Sequence, residues 1–234
     1  MSHLILISAP SGSGKSTVIQ QLMQDESLRL SFSISATSRP PRGNEQHGVE
    51  YYFYTPEQFK KLIAEDRLVE YVEVYPGKYY GTLRSEVDRL ASMGRNILFD
   101  VDAVGAMRIQ EAYRDKVVSI FLMPPTFAEL RHRLESRGTE SPEMVEERMR
   151  RASYEINFAD QFDHTVVNDD LKLCVSQVAQ IIRDTISKSR AQHKSAVSRN
   201  RRLSRLHRRL SLRLYRAGSV VYTSSKNSSP FGTF

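Results

Sequence analysis

A glycine-rich segment near the N-terminus carries the clearest chemical signal in the chain, and it reads Ala9-Pro10-Ser11-Gly12-Ser13-Gly14-Lys15-Ser16-Thr17. An apolar run, 3–8, precedes it and a segment with helical spacing, 16–23, follows it, which is the strand, loop and helix context of phosphate-binding loops. Glycines let backbone N–H groups turn towards an anion, and the start of a helix adds a positive dipole end. We therefore predict that this loop binds the phosphates of a nucleotide.

Two side chains of the loop have predicted roles beyond the backbone cradle. Lys15 would reach the β and γ phosphates, and the hydroxyl of Ser16 would bind Mg²⁺. Ala9 stands where the strict motif has its first glycine, which is acceptable if its φ angle is negative. The alternative is a Gly/Ser loop that merely turns the chain, and the strand and helix around it argue against that interpretation.

Two carboxylates lie at the C-terminal end of a second apolar run, 97–101. Asp100 and Asp102 are two residues apart, so on a strand both would project from one face. Burying them without partners would be costly, and a cation or hydrogen-bond donors would offset that cost. Asp100 is therefore the candidate for supporting Mg²⁺ with Ser16. The alternative is that both are solvated loop residues beyond the strand end.

The spacing of apolar residues predicts an α/β fold. Short β-branched runs suit a parallel sheet that is covered on both faces, and they occur at 3–8, 97–101, 117–122 and 165–167. Helical segments separate them, at 83–93 (ended by Gly94), 127–136 and 171–186. We predict a parallel sheet flanked by helices, with a core of 1–33, 82–126 and 152–186.

Two insertions interrupt this alternation. Segment 34–81 is predicted to be a small β-rich subdomain, because it lacks a long helix between strand-like runs at 32–34, 51–54 and 68–74. One short helix within it would begin at Thr55-Pro56 and end near Ala64. Segment 127–151 is charged and helical, with Ser141 as N-cap and Pro142 at the first helical position, and its arginines make it a candidate lid.

The basic character of the chain is confined to its C-terminal end. The formal net charge is +7, but 187–234 holds 12 Lys and Arg and no acidic residue, which leaves −5 for 1–186. We predict a domain boundary near Ile186 and a basic, disordered extension over 187–234. Within it, residues 190–216 could weakly bind an anionic membrane surface or nucleic acid, although nucleic acid is not an obligatory partner. The alternatives are an extension without a role and a frame-shifted end.

Compartment and assembly follow from composition only in part. No stretch approaches the roughly 20 consecutive apolar residues of a membrane-spanning helix, so we expect no membrane insertion. Cys174 is the only cysteine, which excludes an internal disulfide, and the first residues lack the pattern of a secretory signal. These features favour a cytoplasmic location and leave the oligomeric state open.

Several motifs, each in the same order along the chain, closely resemble the guanylate kinase family. Besides the phosphate loop they are Ser35–Glu45, Gly48–Phe53, Tyr79–Thr82, Phe99–Asp102 and Val167–Asp170. The resemblance covers nearly all of 3–186, and the number of independent motifs makes it specific. It implies a P-loop NTPase-type α/β fold in which 34–81 is the GMP-binding insertion and 127–151 is the helical lid.

The resemblance implies a binding site for GMP. Arg39 and Arg42 would bind its phosphate through their guanidinium forks, and Tyr51 and Tyr80 would donate hydroxyl hydrogen bonds to it. The base would be read by carboxylates and hydroxyls, since guanine carries N1–H and 2-amino donors; the matching residues are Ser35, Glu70, Thr82 and Asp102. For the tyrosines the alternative is packing on a β surface, and for Glu70 it is an outward-facing position on its strand.

The resemblance also assigns residues around the ATP phosphates and the adenine. Arg133, Arg137 and Arg148 match lid arginines that stabilise the charge of the moving phosphoryl group, and Asn168 matches a residue that touches the adenine. The alternative for the arginines is salt bridging, to Glu129, Glu135, Glu146 or Glu147. Arg150 and Arg151 are assigned mainly to that structural role.

The implied reaction is ATP + GMP → ADP + GDP, with Mg²⁺ and with dGMP as a second acceptor, in purine nucleotide metabolism and GMP recycling. No general base is required when the nucleophile is already a phosphate oxygen. Three rival hypotheses are a noncatalytic peptide scaffold with a similar domain, a nucleic-acid-binding protein that acts through 190–216, and a kinase for a different small phosphate ester. The intact phosphate loop argues against the first, and Ser35, Glu70 and Asp102 argue against the last.

Overall fold

The computed structural model describes residues 2–136 and 141–188, and the chain divides into two units, Met1–Ile186 and Ser187–Phe234. The predictions for Arg137 and for the extension beyond 188 lie outside the described residues. The first unit contains two sheets, and the smaller one is inserted between strands of the larger one along the chain. No helix in the described part of the chain is both long enough and apolar enough to cross a membrane.

The larger sheet has five parallel strands: β1 (Leu4–Ser8), β2 (Leu30–Phe32), β7 (Asn96–Asp100), β8 (Val117–Met123) and β9 (His164–Val167). Their order across the sheet is β2-β7-β1-β8-β9. Helices pack against its two faces, namely α1 (Lys15–Met23), α3 (Arg84–Ser92), α4 (Ala103–Tyr113) and α7 (residues 171–188). The predicted parallel α/β fold is therefore confirmed.

Alternation along the central strand explains why both faces of this sheet are covered. Ile5 and Ile7 belong to one apolar cluster together with residues of α1 and α7, whereas Leu4 and Leu6 belong to a second cluster with residues of α3 and α4. All four side chains are at most 4% exposed. A strand that buries both of its faces needs a continuous apolar run, which is the pattern the sequence shows.

One predicted strand, 32–34, is wrong in position and in sheet. The strand is Leu30–Phe32, and it pairs in parallel with β7 at the edge of the larger sheet instead of joining the insertion. Leu30 is buried, whereas Phe32 is exposed at the edge of the sheet. A three-residue edge strand leaves almost no periodic pattern, so its register depends on the neighbouring strand.

The smaller sheet contains β3 (Ala36–Thr37), β4 (Tyr52–Phe53), β5 (Leu68–Tyr75) and β6 (Lys78–Leu83), in the order β4-β3-β6-β5. Strand β6 was not predicted, and it crosses the predicted boundary at 81. Helix α2 (Pro56–Ala64) begins with the capping box of Thr55 and Gln58 and packs Phe59 against Tyr79, with stacked rings 5.4 Å apart. This packing gives the insertion a core of its own.

Two further helices, α5 (Phe127–Glu135) and α6 (Pro142–Ile156), form the segment predicted as a lid. They share a small apolar cluster, which consists of Leu130, Leu134, Val145, Met149 and Ala152. Ser141 caps α6 and Pro142 is its first residue, as the sequence predicted. Helix α6 continues to Ile156, five residues beyond the predicted end of the lid.

Candidate active site

The phosphate loop joins β1 to α1 at the edge of the larger sheet where its parallel strands end. Gly12 and Gly14 have φ angles of 96° and 84°, which side chains rarely adopt, and Gly14 is the N-cap of α1. A Cβ on Gly14 would also lie 2.6 Å from Nδ2 of Asn168. Ala9 has no positive φ, which satisfies the condition set for it by the sequence.

Lys15 is held beside the end of the neighbouring strand. Its Nζ lies 2.5 Å from Oδ1 of Asp100 and donates to the carbonyl oxygen of Val101 at 3.3 Å. Strands β1 and β7 are parallel neighbours, so their carboxyl ends meet at one edge and bring these residues together across 85 positions of sequence. The loop and Asp100 line a cavity of about 500 Å³.

The oxygen donors in this cavity fit a hard divalent cation. Ser16 and Asp100 both line it, and a hydroxyl with a carboxylate is a donor set that Mg²⁺ uses when phosphates and waters complete its coordination. Within the described residues no cluster of three or more acidic, histidine or cysteine side chains could enclose a metal ion without such additional ligands. The donor set therefore suits a cation that arrives with a nucleotide.

Asp102 does not share a strand face with Asp100, so that sequence-based interpretation is wrong. Strand β7 ends at Asp100, and Asp102 is the N-cap of α4, where its carboxylate accepts from the N–H of Gly105 at 2.7 Å. The alternative of two solvated loop residues is also wrong, since both side chains are half-buried. Both carboxylates still face one site, because the strand end and the helix start enclose it.

Arg39 is buried between aromatic rings in the insertion. Its guanidinium lies 4.8 Å from the ring centre of Tyr51 and 5.6 Å from that of Phe53, and it forms a two-pronged pair with Glu45 at 2.6 and 2.8 Å. That pair, with a contribution from Tyr80, raises the pKa of Arg39, and the same bonds lower the pKa of Glu45 to about 2. The predicted phosphate ligand is thus rigidly oriented and permanently charged.

Glu45 and Phe53 were not among the predicted site residues, although both lie in motifs that the sequence singled out. Neither residue type alone indicates the support of an arginine, and only the fold brings them to Arg39. Arg42 is exposed, and its backbone N–H donates to Glu45 at 2.8 Å. The turn 42–45 thus orients Arg39 through Glu45 while the side chain of Arg42 faces solvent.

A second cavity, of about 250 Å³, lies between the two sheets. It brings together most of the residues predicted to bind GMP. Its lining includes Ser35, Tyr51, Glu70, Tyr80, Asp100 and Asp102. Tyr51 and Tyr80 meet edge to face with ring centres 6.0 Å apart. The alternative that these tyrosines pack on a β surface is correct only in part. The two rings pack against each other, but both also line the cavity.

Glu70 is the most deeply buried acid of this cavity, with 7% of its surface exposed. Its Oε1 accepts from the Thr82 hydroxyl at 2.7 Å. Burial, reinforced by the nearby charge of Asp102, raises the pKa of Glu70 to about 7, while the Thr82 hydrogen bond and the charge of Arg108 act in the opposite direction. The outward-facing alternative for Glu70 is therefore wrong.

The predicted lid residues converge on the phosphate loop. Arg148 donates to the Ser11 hydroxyl at 2.6 Å, and Arg133 donates to Glu129 at 2.7 Å and to the carbonyl oxygen of Asn168 at 3.0 Å. The buried amide of Asn168 donates to the carbonyl oxygen of Ser13 at 2.7 Å. Salt bridging was the alternative for these arginines. It is present for Arg133, which pairs with Glu129 and also contacts the backbone of Asn168.

Helix α6 contributes further residues to the larger cavity that the sequence did not assign there: Met144, Glu147, Arg151 and Glu155. Arg151 donates from Nε to Glu155 at 2.9 Å, which is the salt-bridging role predicted for it. Glu155 is 9% exposed, and its Oε2 has no hydrogen-bond partner in the described structure. Helical spacing of charges would have indicated one face of α6, but not that this face looks onto the loop.

Comparisons with known proteins bear on the family and the fold of this chain. Residues 1–185 match the family model described as guanylate kinase. A guanylate kinase of Porphyromonas gingivalis is 53% identical over 188 residues, which cover 80% of this chain and 100% of that relative; one of Bacteroides thetaiotaomicron is 50% identical over 185 residues, which cover 79% and 90%. The crystal structure of guanylate kinase from Anaplasma phagocytophilum superposes with a TM-score of 0.62 and 30% identity, covering 78% of this chain and 85% of that one.

The family model spans about four-fifths of the chain, and the two relatives are aligned over nearly all of their own length. The resemblance inferred from the motifs is thereby confirmed, and so is the fold that it implied. The chain belongs to the guanylate kinase family.

Proposed function

We propose that this chain transfers the γ-phosphoryl group of ATP to GMP and releases ADP and GDP. The observation that carries this proposal is the shared wall of two cavities. Asp100 and Asp102 line both the cavity of the phosphate loop and the cavity of Glu70 and the tyrosines. Two anionic nucleotides can therefore approach the same point from opposite sides, which phosphoryl transfer requires.

At the donor end, backbone N–H groups of the loop and the start of α1 bind the β and γ phosphates. Ser16 and Asp100 are the residues that would hold Mg²⁺, and when bound the cation neutralises charge on the phosphate oxygens. Lys15 keeps one positive charge beside Asp100, and a polyphosphate of higher charge competes with this single carboxylate for it. The loop thus orients the donor before transfer.

At the acceptor end, the Arg39 fork binds the GMP phosphate and the hydroxyls of Tyr51 and Tyr80 supply neutral donors to it. Guanine enters the cavity lined by Ser35, Glu70 and Asp102, whose acceptors match its N1–H and 2-amino groups. Adenine would leave these acceptors unpaired, and that penalty provides the discrimination. A GMP phosphate oxygen then attacks in line with the leaving ADP.

Helices α5 and α6 supply positive charge to the moving phosphoryl group through Arg133 and Arg148, and by the family pattern through Arg137. Arg148 already reaches Ser11, so small movements of α6 suffice to bring its guanidinium to a bound γ-phosphate. Closure over both nucleotides would exclude water, which otherwise would hydrolyse ATP.

The finer assignments belong to the same proposal. The residues proposed to bind GMP contact its phosphate and its base. None is assigned to the ribose 2′-hydroxyl, so dGMP would be accepted too. The proposal also includes a cytoplasmic location and a role in purine nucleotide metabolism and GMP recycling. Nucleic acid is not required, and any weak binding of anionic surfaces would involve 190–216.

A panel of acceptors tests this proposal. GMP, dGMP, AMP, CMP and UMP are each supplied with Mg·ATP, and the release of ADP is followed. We expect saturable turnover with GMP and dGMP and little with the other three. Strong turnover of AMP without turnover of GMP would overturn the base assignment, and the absence of any transfer would favour the noncatalytic scaffold.

A further inference from the structure

The two carboxylates predicted to read the base converge on one position of helix α4. The N–H of Gly105 donates to Oδ1 of Asp102 at 2.7 Å. A Cβ built on Gly105 would lie 3.2 Å from that same oxygen and 3.2 Å from Oε2 of Glu70. These separations are shorter than a relaxed contact between a methyl carbon and a carboxylate oxygen, so Gly105 is the place where Glu70 and Asp102 come together.

The backbone gives no other reason for a glycine here. Gly105 lies within α4, and it is not among the described glycines with positive φ. Gly105 is the third residue of the helix, and glycine loses more conformational freedom than alanine when it adopts a helical conformation. A residue that weakens the helix and is not needed for its dihedral angles is explained by the space that it leaves open.

A side chain at this position would push the two carboxylates away from the contacts that hold them. Oε1 of Glu70 is bound by the Thr82 hydroxyl on the adjacent strand, and Asp102 is bound by the backbone of Gly105 itself. One helical turn further along α4, Arg108 donates to the carbonyl oxygen of Tyr71, which ties the strand of Glu70 to the helix. Relief would therefore come from moving the carboxylates within the cavity that receives the base.

We propose that Gly105 is a specificity-determining residue for the acceptor base, because its missing side chain lets Glu70 and Asp102 converge on the same edge of guanine. This inference rests on the proposed function. Guanine presents two adjacent donors, N1–H and the 2-amino group, and two convergent acceptors match them. Hypoxanthine keeps N1–H but lacks the amino group, so IMP measures how strongly the second donor is read.

The test compares Gly105→Ala with the unaltered chain on GMP and IMP in full kinetic series, with ADP release as the readout. Loss of one charged hydrogen bond corresponds to about a tenfold effect. We expect the KM for GMP to rise about tenfold and the preference for GMP over IMP, in kcat/KM, to fall by a similar factor. The KM for ATP should stay within about twofold.

Val104→Ile is the matched control. It adds one carbon to the adjacent, half-buried residue of the same helix, which does not line either of the two nucleotide cavities. We expect it to leave both KM values and the preference unchanged. A purely structural role for Gly105 would instead lower the unfolding temperature and weaken ATP and GMP together, which would contradict the proposal.

A double variant keeps the test decisive if Gly105→Ala alone fails to fold. Glu70→Asp withdraws the carboxylate by one methylene and leaves only the contact with Asp102, so adding Gly105→Ala to it should raise the KM for GMP by about threefold instead of tenfold. An equal tenfold loss in both backgrounds would overturn the proposal, and so would failure of the double variant to fold. If the unaltered chain does not phosphorylate GMP at all, the proposed function fails; if it does and Gly105→Ala keeps its full preference, only this inference fails.

Discussion

The proposed donor and acceptor ends of the site would both bind phosphate, but they are built from different parts of the chain. The donor end uses one continuous loop, 9–17, whose backbone N–H groups and helix start need only local geometry. The acceptor end uses side chains from several separate segments, and its principal cation depends on Glu45, Tyr51 and Phe53 for its orientation. Local structure thus forms one half of the site and tertiary structure the other.

The two ends also differ in how their cations are balanced. Lys15 is paired with Asp100, which belongs to the site itself and lines both cavities. Arg39 is paired with Glu45, which lies in the same insertion, and aromatic rings cover its guanidinium. We infer that a substrate phosphate must compete with a carboxylate at each end, and that the acceptor end has the more rigid cation.

Removing the donor cation should have the largest effect. Lys15→Ala leaves the loop backbone in place but takes away the charge at the β and γ phosphates, so turnover should fall about 10³-fold while the fold persists. Lys61→Ala, at an exposed lysine paired with Glu65, serves as the control. ADP release and thermal unfolding are the measurements. A stable Lys15→Ala variant with full turnover would show that the donor end does not work through this residue.

Removing the acceptor cation should affect one substrate only. Arg39→Gln loses a charged fork, and we expect the KM for GMP to rise about 30-fold while the KM for ATP stays within about twofold. Arg39→Lys should recover only part of this loss, since it keeps the charge but not the fork. An equal rise in both KM values would mean that the donor and acceptor ends are not separate binding sites.

The pH dependence of GMP use should report Glu70, because burial raises the pKa of this carboxyl to about 7. The ionised carboxylate is a stronger hydrogen-bond acceptor for guanine than the neutral acid, so kcat/KM for GMP should rise about tenfold between pH 6 and pH 8. Glu70→Gln should abolish this step and leave the one near pH 6 that comes from the GMP phosphate. If the step near pH 7 persists in Glu70→Gln, another group is responsible.

The raised pKa of Glu70 also affects the free energy of unfolding. The folded chain keeps the Glu70 proton up to about pH 7, whereas the unfolded chain loses it near the ordinary value of 4.5. The folded state therefore binds more protons in this window, and the free energy of unfolding should decline as pH rises from about 4.5 to about 7. Urea unfolding of the unaltered chain and of Glu70→Gln over this range measures the contribution, which should be absent from the variant.

The smallest effect is expected for Arg131, which lies on lid helix α5 and does not line the cavity of the phosphate loop. Arg131 pairs with Glu146 at 2.5 Å, and both side chains are exposed. Arg131→Ala should leave the unfolding temperature almost unchanged and turnover unchanged, because exposed ion pairs contribute little to stability, in contrast to Arg133→Ala and Arg148→Ala. A tenfold loss of turnover in Arg131→Ala would show that position on the helix does not separate catalytic from structural arginines here.

Much of the fold could be predicted because long apolar runs have one physical solution. The strand of Ile5 and the strand of Phe99 bury both faces, which is typical of a parallel sheet covered by helices. The edge strand at Leu30 could not be located, because a strand of three residues is stabilised by its neighbour and not by its own pattern. The strand at Tyr79 has six residues, but it contains Lys78, Gly81 and Thr82 and shows no continuous apolar run. The capped starts of α2 and α6 were predictable since capping is local.

By itself the sequence determined the phosphate loop, the parallel sheet and the family, because each depends on residues that are adjacent or regularly spaced. Tertiary structure alone decided that the rings of Tyr51 and Phe53 cover Arg39, and that Glu70 reaches Gly105 from the smaller sheet. These contacts join segments whose separation in sequence carries no periodic signal. Their geometry is set by how the two sheets and helix α4 pack, and packing is specified by the whole chain.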